Sequence, residues 1–305
     1  MEFFDYFTRL FGMDPTQLPA YLRVMTFIVP VAIVVFFVCL IVSKVKKAIK
    51  IIRHVTKGIR VKEGPGLSAD EVCAISIGAL YAYQQGGYVD VMDLDLDEAR
   101  LSTILSKWWD IDNREDAVAT VNYLGNAPSQ ILLPLVYSAY NASNEDETMR
   151  IISDRITKDF DFSNEPDCME KAKGLIERAR NQFNNLKSQY DTLINDGIIS
   201  SVTDIERLGV IAWDAGRLNF VARAAMQKGY LTREECLNCV NHAYTMSLSS
   251  GFNSWKDFAN SYMLGRTMWN GDCNMSALAE DLLTNPKSPW VRFPWKAIAN
   301  KQQAD

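Results

Sequence analysis

Histidine is nearly absent from this chain, which carries only His54 and His242 in 305 residues. A histidine general base or a Ser-His-Asp triad therefore has one candidate at best. The chain also lacks a G-x-S-x-G elbow, a phosphate-binding glycine loop and an H-E-x-x-H zinc motif. These absences exclude the commonest hydrolase and nucleotide-binding signatures, and we predict no cofactor.

Cysteine is also sparse, and its six positions are scattered, with Cys39 inside a long apolar run. This excludes a disulfide framework and fits a reducing compartment. Cys236, Cys239 and His242 have a metal-like spacing, with Cys273 as a distant fourth ligand. Because they fall three residues apart inside a predicted helix, we interpret them as small buried side chains and predict no metal. A metal or redox site is the alternative.

Acidic residues outnumber basic ones beyond the N-terminal fifth of the chain. Residues 1–62 hold ten Lys and Arg against three acids, a balance of +7, whereas residues 63–305 hold 22 against 34, a balance of −12. An acidic body argues against a general nucleic-acid surface. With 48% hydrophobic residues, the chain has enough apolar material for a core.

One long uncharged stretch lies near the N-terminus. Residues 24–43 run without charge from Arg23 to Lys44 and would span about 30 Å as a helix. We predict a single transmembrane helix. A cleaved secretory signal is the alternative, but basic residues follow where a small-residue cleavage site would be needed. The pattern of residues 1–23 predicts an amphipathic segment that precedes the transmembrane helix. The alternative is a segment that lies along the membrane surface.

Basic residues cluster after this apolar run. Residues 44–62 predict a basic juxtamembrane helix that lies against the anionic headgroups of the bilayer. Its leading charges are Lys44, Lys46, Lys47, Lys50 and Arg53. Because positive charge marks the cytoplasmic side, we predict the N-terminus outside and the large domain in the cytoplasm. A nucleic-acid patch is the alternative, but aromatic residues and glycine are lacking there.

The rest of the chain predicts helix after helix. Residues 63–67 predict a linker, residues 68–295 an all-α domain and residues 296–305 a tail. Only residues 88–96 alternate with period two, which allows one short strand at most. Four helix-start signals stand out: Ser68-x-x-Glu71, Thr203-x-x-Glu206, Thr232-x-x-Glu235 and Ser254-x-x-Asp257.

Two of these helices carry most of the candidate chemistry. The central helix, predicted over 203–229, places three residues beside its apolar stripe: Trp213, Asp214 and Arg217. Helix 254–269 carries an aromatic stripe with an arginine inside it: Trp255, Phe258, Tyr262, Arg266 and Trp269. The two helices are therefore the best candidates for a site.

The arginine inside the aromatic stripe needs an acidic partner. A buried guanidinium is costly without one, and we choose Asp214 as the partner of Arg266. This predicts an internal ion pair that fixes how the two helices dock. The alternative is that Asp214, Arg217 and Arg266 line a cleft that binds a small anion or a peptide group.

Two tryptophans near the C-terminus are too apolar to remain in water. Trp290 follows Pro289, and Trp295 follows Pro294. The two prolines should prevent a helix in this segment. We predict that this segment folds back and covers an open end of the helical domain.

An ordered series of motifs in this chain resembles a known family. The motifs are Trp109-Asp110-Ile111-x-Asn113-Arg114-Glu115-Asp116-Ala117, Ala212-Trp213-Asp214-x-x-Arg217, Ser254-Trp255-x-x-Phe258, Tyr262-x-Leu264-Gly265-Arg266-x-x-Trp269 and Ser288-Pro289-Trp290-x-x-Phe293-Pro294-Trp295. Over residues 70–295 they resemble the bacterial domain of unknown function 1266 family (DUF1266). The resemblance implies a bacterial cytosolic helical domain and brings no catalytic residues with it. This chain departs from the family in its predicted anchor, in the charged stretch 165–195, and at Gly125-Asn126, where Gly-His is expected.

We therefore predict an all-α domain carried by a single-pass protein of a bacterial inner membrane. Its predicted function is a membrane-tethered interaction or regulatory module with an unidentified protein partner, such as an accessory of a secretion, toxin–immunity or defence system. No catalytic residue is predicted. The rival hypothesis is an enzyme that acts on a phosphate- or carboxylate-bearing substrate through Asp214, Arg217 and Arg266.

Overall fold

The computed structural model describes residues 58–62, 66–159 and 167–295, together with Ala32, Val35 and Phe36, which are helical. Apart from these three residues, the predicted segments 1–23 and 24–43, the basic residues 44–57 and the tail 296–305 lie outside the described residues. Within the described part, no helix combines the length and the apolar character that crossing a bilayer requires. The predicted transmembrane helix over residues 24–43 thus stays a prediction.

Helices make up most of the described chain, and we number them in order. The first seven are α1 (Ala69–Ser76), α2 (Ala79–Gln85), α3 (Glu98–Ser102), α4 (Arg114–Gly125), α5 (Pro128–Ser138), α6 (Glu145–Asp159) and α7 (Cys168–Ser188). The next seven are α8 (Tyr190–Asn195), α9 (Thr203–Leu208), α10 (Ile211–Gln227), α11 (Arg233–Leu248), α12 (Trp255–Asn270), α13 (Ser276–Thr284) and α14 (Pro289–Arg292). A π-helical segment, Thr103–Trp108, continues α3. The described residues contain no strand, which confirms the all-α class; residues 88–96 form bends and irregular backbone instead.

The predicted helix starts are confirmed where the capping side chain binds a backbone group three residues further along the chain. Ser68 and Thr232 each form a complete capping box, and Ser254 accepts a hydrogen bond from the backbone of Asp257. The prediction that Thr203 caps one central helix is wrong, because α9 begins without a side-chain cap. That helix also breaks at Gly209, whose φ of 60° favours glycine and ends α9 before α10 begins.

Helix α10 is the buried centre of the domain. Every residue from Ala212 to Ala225 is buried, and α10 contacts α2, α4, α5, α11 and α12. A helix covered on all sides is normally apolar throughout, yet this one buries Asp214, Arg217, Asn219 and Arg223. Each of these polar side chains therefore has to find its partner inside the protein.

Two glycines allow α10 and α12 to cross closely. A Cβ atom added to Gly216 would lie 2.6 Å from Cε2 of Tyr262. A Cβ atom added to Gly265 would lie 2.4 Å from Cβ of Trp213 and 3.1 Å from Cβ of Val210. The crossing therefore depends on the absence of side chains at both positions.

Replacing Gly265 with Ala should destabilise the domain by at least about 1–3 kcal/mol, because the new methyl group meets Cβ atoms that cannot rotate away. The matched control is Gly174→Ala in α7, where nothing lies within 4 Å of the added Cβ. There, the higher helix propensity of alanine should stabilise the domain by about 0.5–1 kcal/mol. Equilibrium urea unfolding measures both changes. Effects of the same sign at the two positions would contradict the close crossing.

Residues 58–62 belong to the compact unit and are not helical, so the predicted helix 44–62 is wrong at its end. The carbonyl of Arg60 accepts a hydrogen bond from Val89 N (3.1 Å), and its guanidinium donates to Gly86 O (2.8 Å). That guanidinium also lies 4.2 Å from the ring centre of Tyr88. These contacts replace helical hydrogen bonds and hold the segment against the 86–95 loop.

Arg223 holds the same loop from inside the protein. It is fully buried and donates to the carbonyls of Tyr88 (2.6 Å), Val91 (2.6 Å) and Met92 (3.2 Å). Burial lowers the pKa of this guanidinium to about 10, which still leaves it charged at neutral pH. The loop that receives residues 58–62 is therefore tied directly to α10.

The C-terminal tryptophans fold back onto the domain, as predicted. Trp290 stacks on Trp255 with ring centres 4.9 Å apart, and Trp295 meets the same indole edge-on at 4.7 Å. The Trp290 indole also donates to Ser76 O (3.0 Å). The prediction that this segment forms no helix is wrong, because Pro289 occupies the first turn of α14, where the missing N–H costs nothing.

Candidate functional site

Asp214 joins two helices through its carboxylate. The side chain is 0% exposed, and its Oδ2 accepts hydrogen bonds from the backbone N–H groups of Ser129 (2.9 Å) and Gln130 (3.1 Å). Its Oδ1 pairs with Nη2 of Arg217, one turn further along α10. The carboxylate on α10 therefore caps the N-terminus of α5 from outside that helix.

Helix α5 needs this external cap because its own sequence supplies none. Ala127 occupies the N-cap with no side-chain acceptor and a strained φ of 51°, and Pro128 has no N–H group. The first donors without helical partners are thus those of Ser129 and Gln130. Burial raises the pKa of Asp214, while Arg217 and these donors favour its charged form.

Arg217 is held in place by its surroundings. Its Nε donates to Trp213 O (3.3 Å), and its Nη2 donates to Ser129 Oγ (3.1 Å) as well as to Asp214. The guanidinium carbon lies 4.6 Å from the ring centre of Trp213 and 5.8 Å from that of Trp109. Hydrogen bonds and cation–π contacts together fix its position.

A cleft of about 520 Å³ lies beside this guanidinium. Arg217, only 6% exposed, and Ser129 contribute from α10 and α5. Helix α7 supplies a polar wall that consists of Glu177, Arg178, Asn181 and Gln182, with Gly174 beside them. Pro128, Leu132, Tyr123 and Trp269 add apolar and aromatic surface. This volume falls within the range of small-molecule sites.

Gln182 is the side chain of this wall that stands out. It is only 5% exposed, and its Oε1 atom has no hydrogen-bond partner. Buried amide groups are almost always paired. Arg178 and Glu177, by contrast, are exposed to solvent. Gln182 therefore offers the cleft a polar group that the described protein does not use.

The family model described as "Protein of unknown function (DUF1266)" matches residues 104–295 of this chain. The chain belongs to this family. The DUF1266 match runs from before α4 to beyond α14, and it includes the helices whose residues line the cleft. The resemblance seen in the sequence is thereby confirmed over these residues.

A curated relative of this DUF1266 chain is the Uncharacterized protein YbeU of Escherichia coli (strain K12). The two are 23% identical over 181 residues, which cover 59% of this chain and 63% of the relative. The alignment thus spans less than two thirds of the relative's length. No solved structure matches the chain.

The predicted ion pair between Asp214 and Arg266 is wrong in this DUF1266 domain. Arg266 Nε instead donates to Asp272 Oδ1 at 3.3 Å. Gly271 ends α12 with a φ of 71°, and this left-handed turn brings Asp272 back towards the last turns of the helix. Arg266 is also not among the residues that line the cleft. The structure therefore brings Asp214 and Arg217 together and leaves Arg266 apart.

The predicted aromatic stripe of α12 divides into two parts. Tyr262 is buried and packs edge-on against Trp213, with ring centres 5.0 Å apart. Trp269 is 55% exposed and lines the cleft, with its ring centre 5.9 Å from that of Trp213. Trp255 belongs to the cluster with Trp290 and Trp295, and none of these three lines the cleft.

The Cys236, Cys239 and His242 series lies on α11, as the spacing indicates. The described residues contain no group of His, Cys, Asp or Glu that could hold a metal ion. Burial raises the pKa of Cys236 to about 12, so its sulfur is a thiol at neutral pH. Nε2 of His242 lies 2.9 Å from Gly125 O, beside Asn126, where the family resemblance leads us to expect a histidine.

Several residues of the site were not predicted from the sequence. Trp109 lies in one of the sequence motifs, but no sequence pattern places it against Arg217. The uncapped Ala127-Pro128 start of α5 was a usable signal, because such a start requires an acceptor from elsewhere. Gln182 and Arg178 carry no signal at all, since they lie on a helix outside every motif.

Proposed function

We propose that this chain is a membrane-tethered binding module whose DUF1266 domain takes its ligand in the cleft beside Arg217. The main support for this proposal is the contrast between Asp214 and Arg217. Asp214 is completely buried and engaged by Ser129, Gln130 and Arg217, whereas Arg217 reaches the cleft. A general base must lie within reach of a substrate proton. The arrangement therefore supports recognition rather than catalysis.

The tether in this proposal comes from residues 24–62. The uncharged run 24–43 has the length of a bilayer span, and the eight basic residues of 44–62 follow it without an acid. This pattern supports a domain on the cytoplasmic side of a bacterial inner membrane. The acidic balance of residues 63–305 would keep the body of the domain away from anionic headgroups.

Photo-cross-linking in membranes tests both parts of the proposal. A benzophenone amino acid in place of Tyr123, an exposed residue of the cleft, should give a discrete adduct in alkaline-washed membranes from cells that produce the full chain. Gly174→Trp should abolish this adduct, because position 174 lines the cleft and has open space around it. The chain itself should remain in the membrane pellet.

The control places the same cross-linker at Leu237, an exposed residue of α11 outside the cleft. Any adduct formed from position 237 should be equally abundant with and without Gly174→Trp. An adduct from position 123 that persists in the Gly174→Trp chain would overturn the cleft as the binding site. Release of the chain by the alkaline wash would overturn the tether, and an active alkaline phosphatase fused to the C-terminus would overturn the orientation.

A further inference from the structure

Arg217 offers the cleft only one free nitrogen. Its Nε donates a hydrogen bond to Trp213 O, and its Nη2 donates to Asp214 Oδ1 and Ser129 Oγ. Among the described residues, nothing accepts a hydrogen bond from Nη1. Phosphate groups are typically bound by a guanidinium fork, which uses two nitrogens. The two N–H groups of Nη1 can therefore meet a ligand, but this arginine cannot form the two-nitrogen fork.

Gln182 contributes a complementary pair of groups. A side-chain amide carries both an acceptor oxygen and a donor nitrogen, and rotation about its last torsion turns either one towards the cleft. Oε1 is buried and has no hydrogen-bond partner in the described protein. The natural match for an unpaired amide is another amide, since each can donate to and accept from the other.

The charges around the cleft cancel. Arg217 is offset by Asp214, with which it is paired, and Arg178 is offset by its neighbour Glu177 in the same wall. A dianionic phosphate brought into this setting would lose hydration without gaining an uncompensated cation. A neutral polar group fits the balance better.

Aromatic surface completes the set of groups that a ligand meets. Tyr123 and Trp269 are both more than half exposed, and both line the cleft. Large exposed aromatic residues are favourable anchors for apolar side chains in recognition sites. Leu132 adds buried aliphatic surface beside them.

From these observations we infer that the cleft binds a neutral peptide segment of a partner protein. One main-chain carbonyl would accept from Nη1 of Arg217, and a main-chain amide would pair with Gln182. A neighbouring aromatic or aliphatic side chain would lie on Tyr123 and Trp269. This inference rests on the proposed function, because it names the ligand class of the same cleft.

Titration of the purified full chain in detergent tests the ligand class, with the tryptophan fluorescence to which Trp269 contributes from the cleft as the reporter. The probes are N-acetylphenylalanine methylamide, which is a neutral peptide unit, N-acetylphenylalanine, which carries a carboxylate, and phenyl phosphate. We expect saturable binding of the methylamide and weaker binding of both anions. Gln182→Leu should weaken methylamide binding by about tenfold, the equivalent of about 1.4 kcal/mol and of one hydrogen bond.

The matched control is Asn184→Leu, which removes an exposed amide from the same helix outside the cleft and should leave binding unchanged. Preferential binding of phenyl phosphate or of the free carboxylate would overturn the peptide assignment but not the cleft. So would the absence of methylamide binding when the position-123 adduct is still blocked by Gly174→Trp. An affinity for the methylamide that Gln182→Leu leaves unchanged would also overturn the inference.

Discussion

Replacing Asp214 with Asn should lower the free energy of unfolding by about 3–5 kcal/mol. The substitution leaves the buried guanidinium of Arg217 without its counter-charge and turns an N–H group towards donors that now lack an acceptor. It also removes the charged cap from the start of α5. The loss should appear in urea unfolding followed by circular dichroism.

The control for Asp214 is Asp154→Asn in α6, which breaks an ion pair with Arg150 whose two side chains are both about two thirds exposed. Exposed pairs of this kind are worth less than about 1 kcal/mol, so its stability should hardly change. Adding Arg217→Met to Asp214→Asn should recover part of the loss, because the unpaired charge is then gone. Equal effects of Asp214→Asn and Asp154→Asn would show that the buried pair does not stabilise the domain.

Replacing Trp290 with Ala should also cost about 3–5 kcal/mol. The indole is buried, stacks on Trp255 with an angle of 8° between the rings, and donates to Ser76 O. Its removal leaves a cavity at the junction of α1, α12 and α14, and an unpaired carbonyl. Thermal unfolding of the full chain should show a clear fall in Tm.

Val291→Ala is the matched control in the same short helix, because Val291 is 38% exposed and buries far less surface. Its effect should stay below about 1 kcal/mol. If Trp290→Ala were as mild as Val291→Ala, the C-terminal segment would be a loosely attached tail rather than part of the core.

The features that the sequence predicted best depend on residues close together in the chain. The capping boxes at Ser68 and Thr232 need only a partner three residues away, and both are present. Trp290 and Trp295 were correctly placed in the interior because large indoles have few alternatives. Such features follow from composition and spacing alone.

The failures concern the choice among several possible partners. Arg266 had a distant acid in Asp214 and a nearer one in Asp272, and only the left-handed turn at Gly271 brings the nearer one into range. Asp214 was thus free to bind Ser129 and Gln130, which no motif connects to it. The cleft was beyond prediction for the same reason, since its α7 wall reaches α5 and α12 only through tertiary packing.

The hydrogen bond from Trp290 to Ser76 spans 214 positions of the chain. In a nascent polypeptide, α1 leaves the ribosome long before the indole that will lie against it has been synthesised. Until then, Trp255 and Phe258 lack the aromatic cover that they have in the finished domain. Ribosome-bound or truncated forms that end before Trp290 should therefore be prone to aggregation, bind chaperones and be readily degraded.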